Sequence, residues 1–286
     1  MTGGNALHEE LRARGLDLHA RYPRQINPGW GHRWPGFAIL IGLTALYGIG
    51  LIVLDISPTR IVNGLWRLVD IVGMMLPPNP QSWDRFLLYM LALGQTLAIA
   101  FLGTLAAAIL AFPFGFLAAR NVIANRALRL LTRRSLDTVR SVDTLVWALI
   151  WINVVGLGPF AGALAIMSAD FGAFGKLMSE AIEAADNKSV EGVISTGGGK
   201  LHSVWFGILP RVLPVFASQV LYYFESNTRS ATIIGIVGAG GIGLQLSEQI
   251  RVLEWQQVSF LILIVLVTVA MIDTISSRLR TAIITR

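Results

Sequence analysis

The chain reads as long apolar runs separated by short polar or glycine-bearing stretches. Runs at 35–54, 86–118, 160–177, 209–236 and 258–276 are each long enough, at about 1.5 Å per residue, to carry a helix across a hydrocarbon core of about 30 Å. A shorter run, 142–155, ends at the turn Gly156-Leu157-Gly158-Pro159 and is expected to be the third of six spans. The fold class expected is all-α, a polytopic membrane protein of about six transmembrane helices. Pro113 should kink the run 86–118 toward its end. Gly103, Ala106, Ala107, Ala108 and Ala111 give that run a close-packing face. The segment 61–75 is apolar but carries Arg67 and Asp70, so it reads as interfacial, ended by Pro77, Pro78 and Pro80. Residues 1–34 form a polar, basic segment with an interfacial helix expected at 6–20. It does not read as a signal peptide, because the apolar run starts late and no small-residue cleavage site follows it. The chain thus divides into 1–34, 35–85 (first span and external segment) and a core at 86–286, which holds a polar loop at 184–208.

Composition supports the membrane class. Hydrophobic residues make up 54% of the chain and charged ones only 14%, against about 25% charged in a soluble domain. Cysteine is absent, which excludes disulfides and Cys-based metal sites. His8, His19, His32 and His202 are scattered, with no shared helix face for a metal. The net charge of +6 is mostly arginine, and six arginines with one aspartate fill 120–140. In a membrane chain this marks a cytoplasmic loop rather than a nucleic-acid surface. Both termini, 120–140 and the polar loop then lie inside, and the nearly charge-balanced segments 55–85 and 238–257 lie outside. No internal repeat is visible, which weighs against inverted-repeat carriers.

Two glycine motifs invite a nucleotide reading, and neither sustains it. Gly238-Ala239-Gly240-Gly241-Ile242-Gly243 fits G-x-G-x-x-G, but that fingerprint needs a preceding strand, and a membrane helix precedes it here. Gly198-Gly199-Lys200 has Ile194 at the first glycine position of a phosphate loop and Leu201 where Ser or Thr is needed. The chain is therefore expected to hold no cofactor: ATP and Mg²⁺ would belong to a separate subunit. Glu225 and Arg229 stand i, i+4 in an apolar run with Ser226 and Asn227. Each charge in hydrocarbon costs about 2.5–3.5 kcal/mol. The pair is either a strut between helices or part of a polar route. Counted from Pro210, Arg229 lies about 28 Å along the helix, near the outer mouth, where a positive group suits an anion.

The spacing Glu191, Gly197, Leu209-Pro210 resembles the cytoplasmic coupling motif of ATP-binding-cassette (ABC) importer permeases. Gly192 and Val193 replace its two alanines, and Ile208 is one place off. The stretch from Phe224-Glu225-Ser226-Asn227-Thr228-Arg229 through Gly243 is similar to that of phosphonate-type importer permeases. So are Phe116–Asn121, Val155–Ala161, Val190–Val193, Ser195–Leu201 and Ile208–Pro214. The resemblance spans about 85–283. It implies type I permease architecture in a bacterial inner membrane, a homodimer among membrane lipid, two ABC ATPase subunits on the cytoplasmic side, and an external phosphonate-binding protein. It also implies alternating access and no enzymatic activity in this chain. Carried onto this sequence, Glu191, Gly192, Ser195, Thr196, Gly197, Gly198 and Lys200 would contact the ATPase. Glu225, Asn227, Arg229, Gly238, Gly240 and Gly241 would line the path and external gate. Methionine-type permeases share the Arg-Ser-Ala…Gly-Gly-Ile-Gly pattern, so a methionine or other small-solute permease is an alternative. A stand-alone carrier or channel would leave the coupling loop without a role. A membrane anchor would not need Glu225 and Arg229.

Overall fold

The structure, a computed structural model, describes residues 30–284. The helix expected at 6–20 lies outside them. All the regular elements among the described residues are helical. The chain divides at Asp70 into two units. The first holds α1 (Trp30–Val53) and most of α2 (Pro58–Met74). No residue of the apolar stretch Gly36–Val53 is buried, which suits a helix that meets lipid on every face.

The second unit is built on two long helices, α3 (Trp83–Ala118) and α6 (Pro159–Ala184). They run in the same direction, and glycines set their separation. A Cβ on Gly103 would lie 2.8 Å from Cβ of Ile166, and one on Gly115 would lie 2.4 Å from Cγ of Met178. The small-residue face expected on the run 86–118 is therefore the face that meets α6, with Gly103, Ala107, Ala108 and Ala111 buried. α8 (Leu209–Ile234) joins the pair through Val212 and Phe216 in one apolar cluster and Ala231 and Ile234 in a second, each shared by the three helices.

Two parallel helices need a return crossing, and here the sequence expectation is corrected. Residues 126–140 are not a loop but α4 (Arg126–Arg140), an amphipathic helix with Thr132 and Leu136 buried. It lies on α6 where Gly172 and Gly175 admit it: a Cβ on Gly172 would be 2.5 Å from the Leu136 carbonyl. The expected third span, 142–155, is only α5 (Thr144–Val155), 12 residues long. That is about 18 Å, too short to cross alone. α4 and α5 meet at 86°. Their contacts step along α6 from Glu183 (Arg133) through Lys176 (Asp137) to Ser168 (Trp151), so together they retrace its length. The arginines of α4 cover its outward face, which made a packed helix look like a solvated loop.

Among the described residues, five helices are long and apolar enough to span a membrane, or six if the bent pair counts as one. After α6 comes α7 (Asn187–Ser195), then a short turn Lys200–His202 and a π-helical segment Ser203–Ile208 that feeds α8. A second π-helical segment, Gly235–Ala239, ends α8. The segment expected as an outer loop, 238–257, contains α9 (Gly241–Arg251). The last span is longer than expected: α10 runs Trp255–Ile284 without a break.

Candidate functional site

The expected site residues fall at two ends and the middle of one continuous helical run, Lys200–Ala239, 40 residues long.

α7 stands at one end. Asp186 caps it by accepting from the Lys188 N–H at 3.0 Å, and Arg211 approaches the same carboxylate at 3.8 Å. Val190 faces the core cluster, and a Cβ on Gly207 would lie 3.3 Å from the Val190 backbone, so the helix sits tightly on the π-helical segment. Its other face is open, with Glu191, Gly192, Ile194, Ser195 and Thr196 exposed. The Ser195 hydroxyl donates to the Gly192 carbonyl at 2.8 Å, and the Thr196 hydroxyl to that of Val193 at 2.9 Å, which ends the helix. Gly197 then takes φ +85°, a left-handed conformation suited to glycine. A Cβ on Gly198 would lie 2.6 Å from Val193, and Lys200 is exposed at the restart.

The root of α7 is clamped. Glu183, at the end of α6, accepts from the Arg120 backbone N–H at 2.7 Å and pairs with the Arg133 guanidinium. Arg133 Nε also donates to the Ala118 carbonyl at 2.9 Å, and Asn121 Nδ2 to that of Ile182 at 2.8 Å. The ends of α3 and α6 and the middle of α4 are thereby tied together a few residues before α7. Sequence reading singled out none of these as site residues. The available signal was the charge of Glu183 next to an apolar run.

In the middle of α8 the expected polar residues part company. Asn227 points into the core: its Nδ2 donates to Thr104 Oγ1 at 2.8 Å and to the Asp170 carboxylate. Asp170 is buried among α3, α6 and α8 and was not anticipated, although a lone carboxylate within 160–177 was its visible signal. Glu225 also faces inward, with 9% of its side chain exposed, and is bracketed by two arginines. Arg229 Nη1 lies 3.4 Å from one carboxylate oxygen, and Arg280 Nη1 of α10 lies 3.1 Å from the other. Arg280 lies beyond the apolar run 258–276 expected from the sequence, but within the longer α10. Arg229 is different: half of its side chain is open. It continues a stripe at helical spacing, Gln219, Tyr222 and Ser226, on the face of α8 left uncovered by its neighbours. At the α7 end this face borders a cleft of about 280 Å³ lined by Glu180, Ala184, Val215 and Gln219 among others. Polar side chains on an apolar helix are costly against hydrocarbon, so this stripe calls for a polar neighbour.

The glycine turn closes the other end. Gly238, Gly240 and Gly241 have φ of +107°, +77° and +72°. Side chains would collide there: a Cβ would lie 2.4 Å from Leu157 at Gly238, 2.9 Å from Pro159 at Gly240, and 2.4 Å from Thr96 at Gly241. The Gly158 N–H donates to the Gly238 carbonyl at 3.0 Å, and the Ile242 N–H to Thr96 Oγ1 at 2.8 Å. The turn borders a cavity of about 400 Å³ that also has Gln95 and Gln245 in its wall. Helices flank the motif on both sides, so the βα context of a dinucleotide fingerprint is absent here.

A helical run with a presented polar helix at one end and a glycine turn at the other invites comparison with transport proteins. Residues 111–286 match the family described as binding-protein-dependent transport system inner membrane component. The chain belongs to that family. It is a multi-pass inner-membrane permease, the transport component rather than an enzyme, of a system that works with a binding protein and an ATPase. Among its relatives, the putative phosphite transport system permease protein HtxC of Stutzerimonas stutzeri is 37% identical over 85% of this chain and 86% of that one. The phosphite transport system permease protein PtxC of the same organism is 32% identical over 96% and 98%. The phosphate-import permease protein PhnE of Mycolicibacterium smegmatis is 34% identical over 82% of this chain and 43% of its own length. Among solved structures, an inward-facing form of the MetNI methionine ABC transporter aligns with TM-score 0.63 at 19% identity, over 71% of this permease and 99% of that chain. That likeness establishes the shared fold of ABC importer permeases.

Proposed function

We propose that this permease imports phosphite, a phosphonate or a closely related phosphorus oxyanion by alternating access, driven by ATP hydrolysis in a partner subunit. The observation that carries the reading is the half-open Arg229 guanidinium on the polar stripe of α8. Its single positive charge at an otherwise neutral wall suits an oxyanion. The whole-length relatives named for phosphite transport point to the same substrate class. In this reading two copies of the chain face each other across the stripe. Two ATPases dock on the open face of α7, through Glu191, Gly192, Ser195, Thr196, Gly197, Gly198 and Lys200. The glycine turn at Gly238, Gly240 and Gly241 gates the external end, where the phosphonate-binding protein docks. Asn227 and Glu225 support the wall from behind, and Arg229 meets the solute. Both termini are cytoplasmic, and 86–286 form the transporting core. The chain itself holds no ATP or Mg²⁺.

The test is reconstitution in vesicles with the partner ATPase and binding protein, following labelled phosphite. Uptake that requires nucleotide and both companions supports the proposal. Solute flow through this chain alone, without nucleotide, overturns it.

A further inference from the structure

Glu225 has two cationic partners where one would suffice. Arg280 reaches it from α10 at 3.1 Å, the closer of the two contacts, with only 23% of its side chain exposed. Its guanidinium carbon also lies 5.7 Å from the centre of the Tyr222 ring, which holds it in place. Arg229 touches the other carboxylate oxygen more loosely, at 3.4 Å, and is half open. A buried carboxylate must be paired. With Arg280 in place that demand is met from α10, and the three charges sum to one positive. With Arg280 removed, Arg229 is the remaining cation in contact with Glu225 and is drawn in. The open face then loses its net positive charge.

We infer that Arg280 is a positioning residue for anion handling: by engaging Glu225 from α10, it takes the closer share of that carboxylate, so that Arg229 pairs with it only loosely and keeps half of its side chain open to the solute. The inference rests on the oxyanion reading above for its biological meaning, but not for its charge arrangement. Tyr222 and Ser226 complete the wall on either side of Glu225, one helical turn apart, and Ser226 lies one residue after it. The inference assigns Arg280 a task distinct from tying α10 to α8, which the Ser276 hydroxyl already does through its 3.4 Å bond to the Leu221 carbonyl.

The chain has no cysteine, so a probe can be placed cleanly. In the full transporter with Ser226→Cys, the rates of modification by an anionic and by a cationic methanethiosulfonate reagent are compared. A unit charge within several ångströms, in a medium of effective dielectric about 20–40, changes the local concentration of an anion by roughly tenfold. The anionic-to-cationic rate ratio should therefore fall about tenfold or more in Arg280→Gln. It should return to near the starting value in Glu225→Gln/Arg280→Gln, where no carboxylate draws Arg229 in. Arg280→Lys should stay close to the parent. The same variants are scored for phosphite carried per ATP hydrolysed, and that ratio should follow the same order. If the double variant is as low as Arg280→Gln in the modification ratio, Arg280 is only a strut and the inference fails. If the modification ratios behave as stated but Arg229→Gln transports phosphite normally, the charge arrangement stands and the oxyanion reading falls. Should Arg280→Gln not assemble, Arg280→Lys against the double variant decides: both must match the parent.

Discussion

Gly243 should not tolerate even a methyl group. An alanine Cβ there would lie 1.9 Å from the Thr232 carbonyl oxygen and 2.9 Å from the Gly235 Cα. An ordinary carbon–oxygen contact is about 3.3 Å, so the start of α9 must withdraw from α8 by about 1.4 Å. Both obstacles are backbone, held inside helical segments, and neither can rotate away. Overpacking of this kind costs about 1–3 kcal/mol, and rigid neighbours place Gly243→Ala near 3 kcal/mol. For a chain of this size that lowers the melting temperature by about 6–12 °C. The measurement is thermal unfolding in detergent, read from the emission of the 8 tryptophans. Gly192→Ala is the matched control. Gly192 is also helical, but nothing lies within 4 Å of its Cβ position, and alanine should stabilise α7 by about 0.5–1 kcal/mol. If the two variants melt within about 2 °C of each other, the close approach of α9 to α8 is not what holds the turn, and the reasoning fails.

The other expectations can be checked with similar means. Glu191→Lys reverses a charge on the open face of α7, and should abolish co-purification with the ATPase while the protein still inserts. Normal transport by that variant counts against docking at α7. Arg229→Ala should reduce phosphite uptake by about tenfold, a charge-assisted contact being lost, with protein level little changed; equal losses in both favour a purely structural role. Asn227→Leu removes the side-chain partner of the buried Asp170 carboxyl and should cost about 1–3 kcal/mol. Folded yield should fall sharply and recover in part in Asn227→Leu/Asp170→Leu, and a single variant as stable as the parent would refute that account. Glu183→Ala unties the clamp below α7, at about 2 kcal/mol because Arg133 is partly open to solvent. ATPase co-purification should drop more than thermal stability does.

The sequence was legible where one local rule governed the outcome. Apolar runs gave the long helices, and the polar stretch 184–208 between two of them located the segment that holds α7. The spacing of Glu225 and Arg229 placed them in contact. The glycines of 238–243 were visible, and their left-handed backbone follows from their identity. What stayed hidden depended on partners far apart in the chain. Asp170 is answered by Asn227, Glu183 by Arg120 and Arg133, and Glu225 by Arg280, and no periodicity announces such pairs. α4 was misread for a different reason. Its buried stripe is only Thr132 and Leu136, admitted by glycines on α6, and its arginines outweigh that stripe in any average over the segment.

The glycine contacts between α3 and α6 also bear on which parts can move. Ile166 sits over Gly103 and Met178 over Gly115, two teeth in two notches about 18 Å apart. A slide of one helical turn in either direction would set Ile166 against Ile99 or Ala107, and Met178 against Ala111 or Ala119, none of which leaves a notch. The two helices are keyed like a splined joint, free to tilt as one body but not to slip. Any stroke that opens and shuts this protein must therefore carry α3 and α6 along in register.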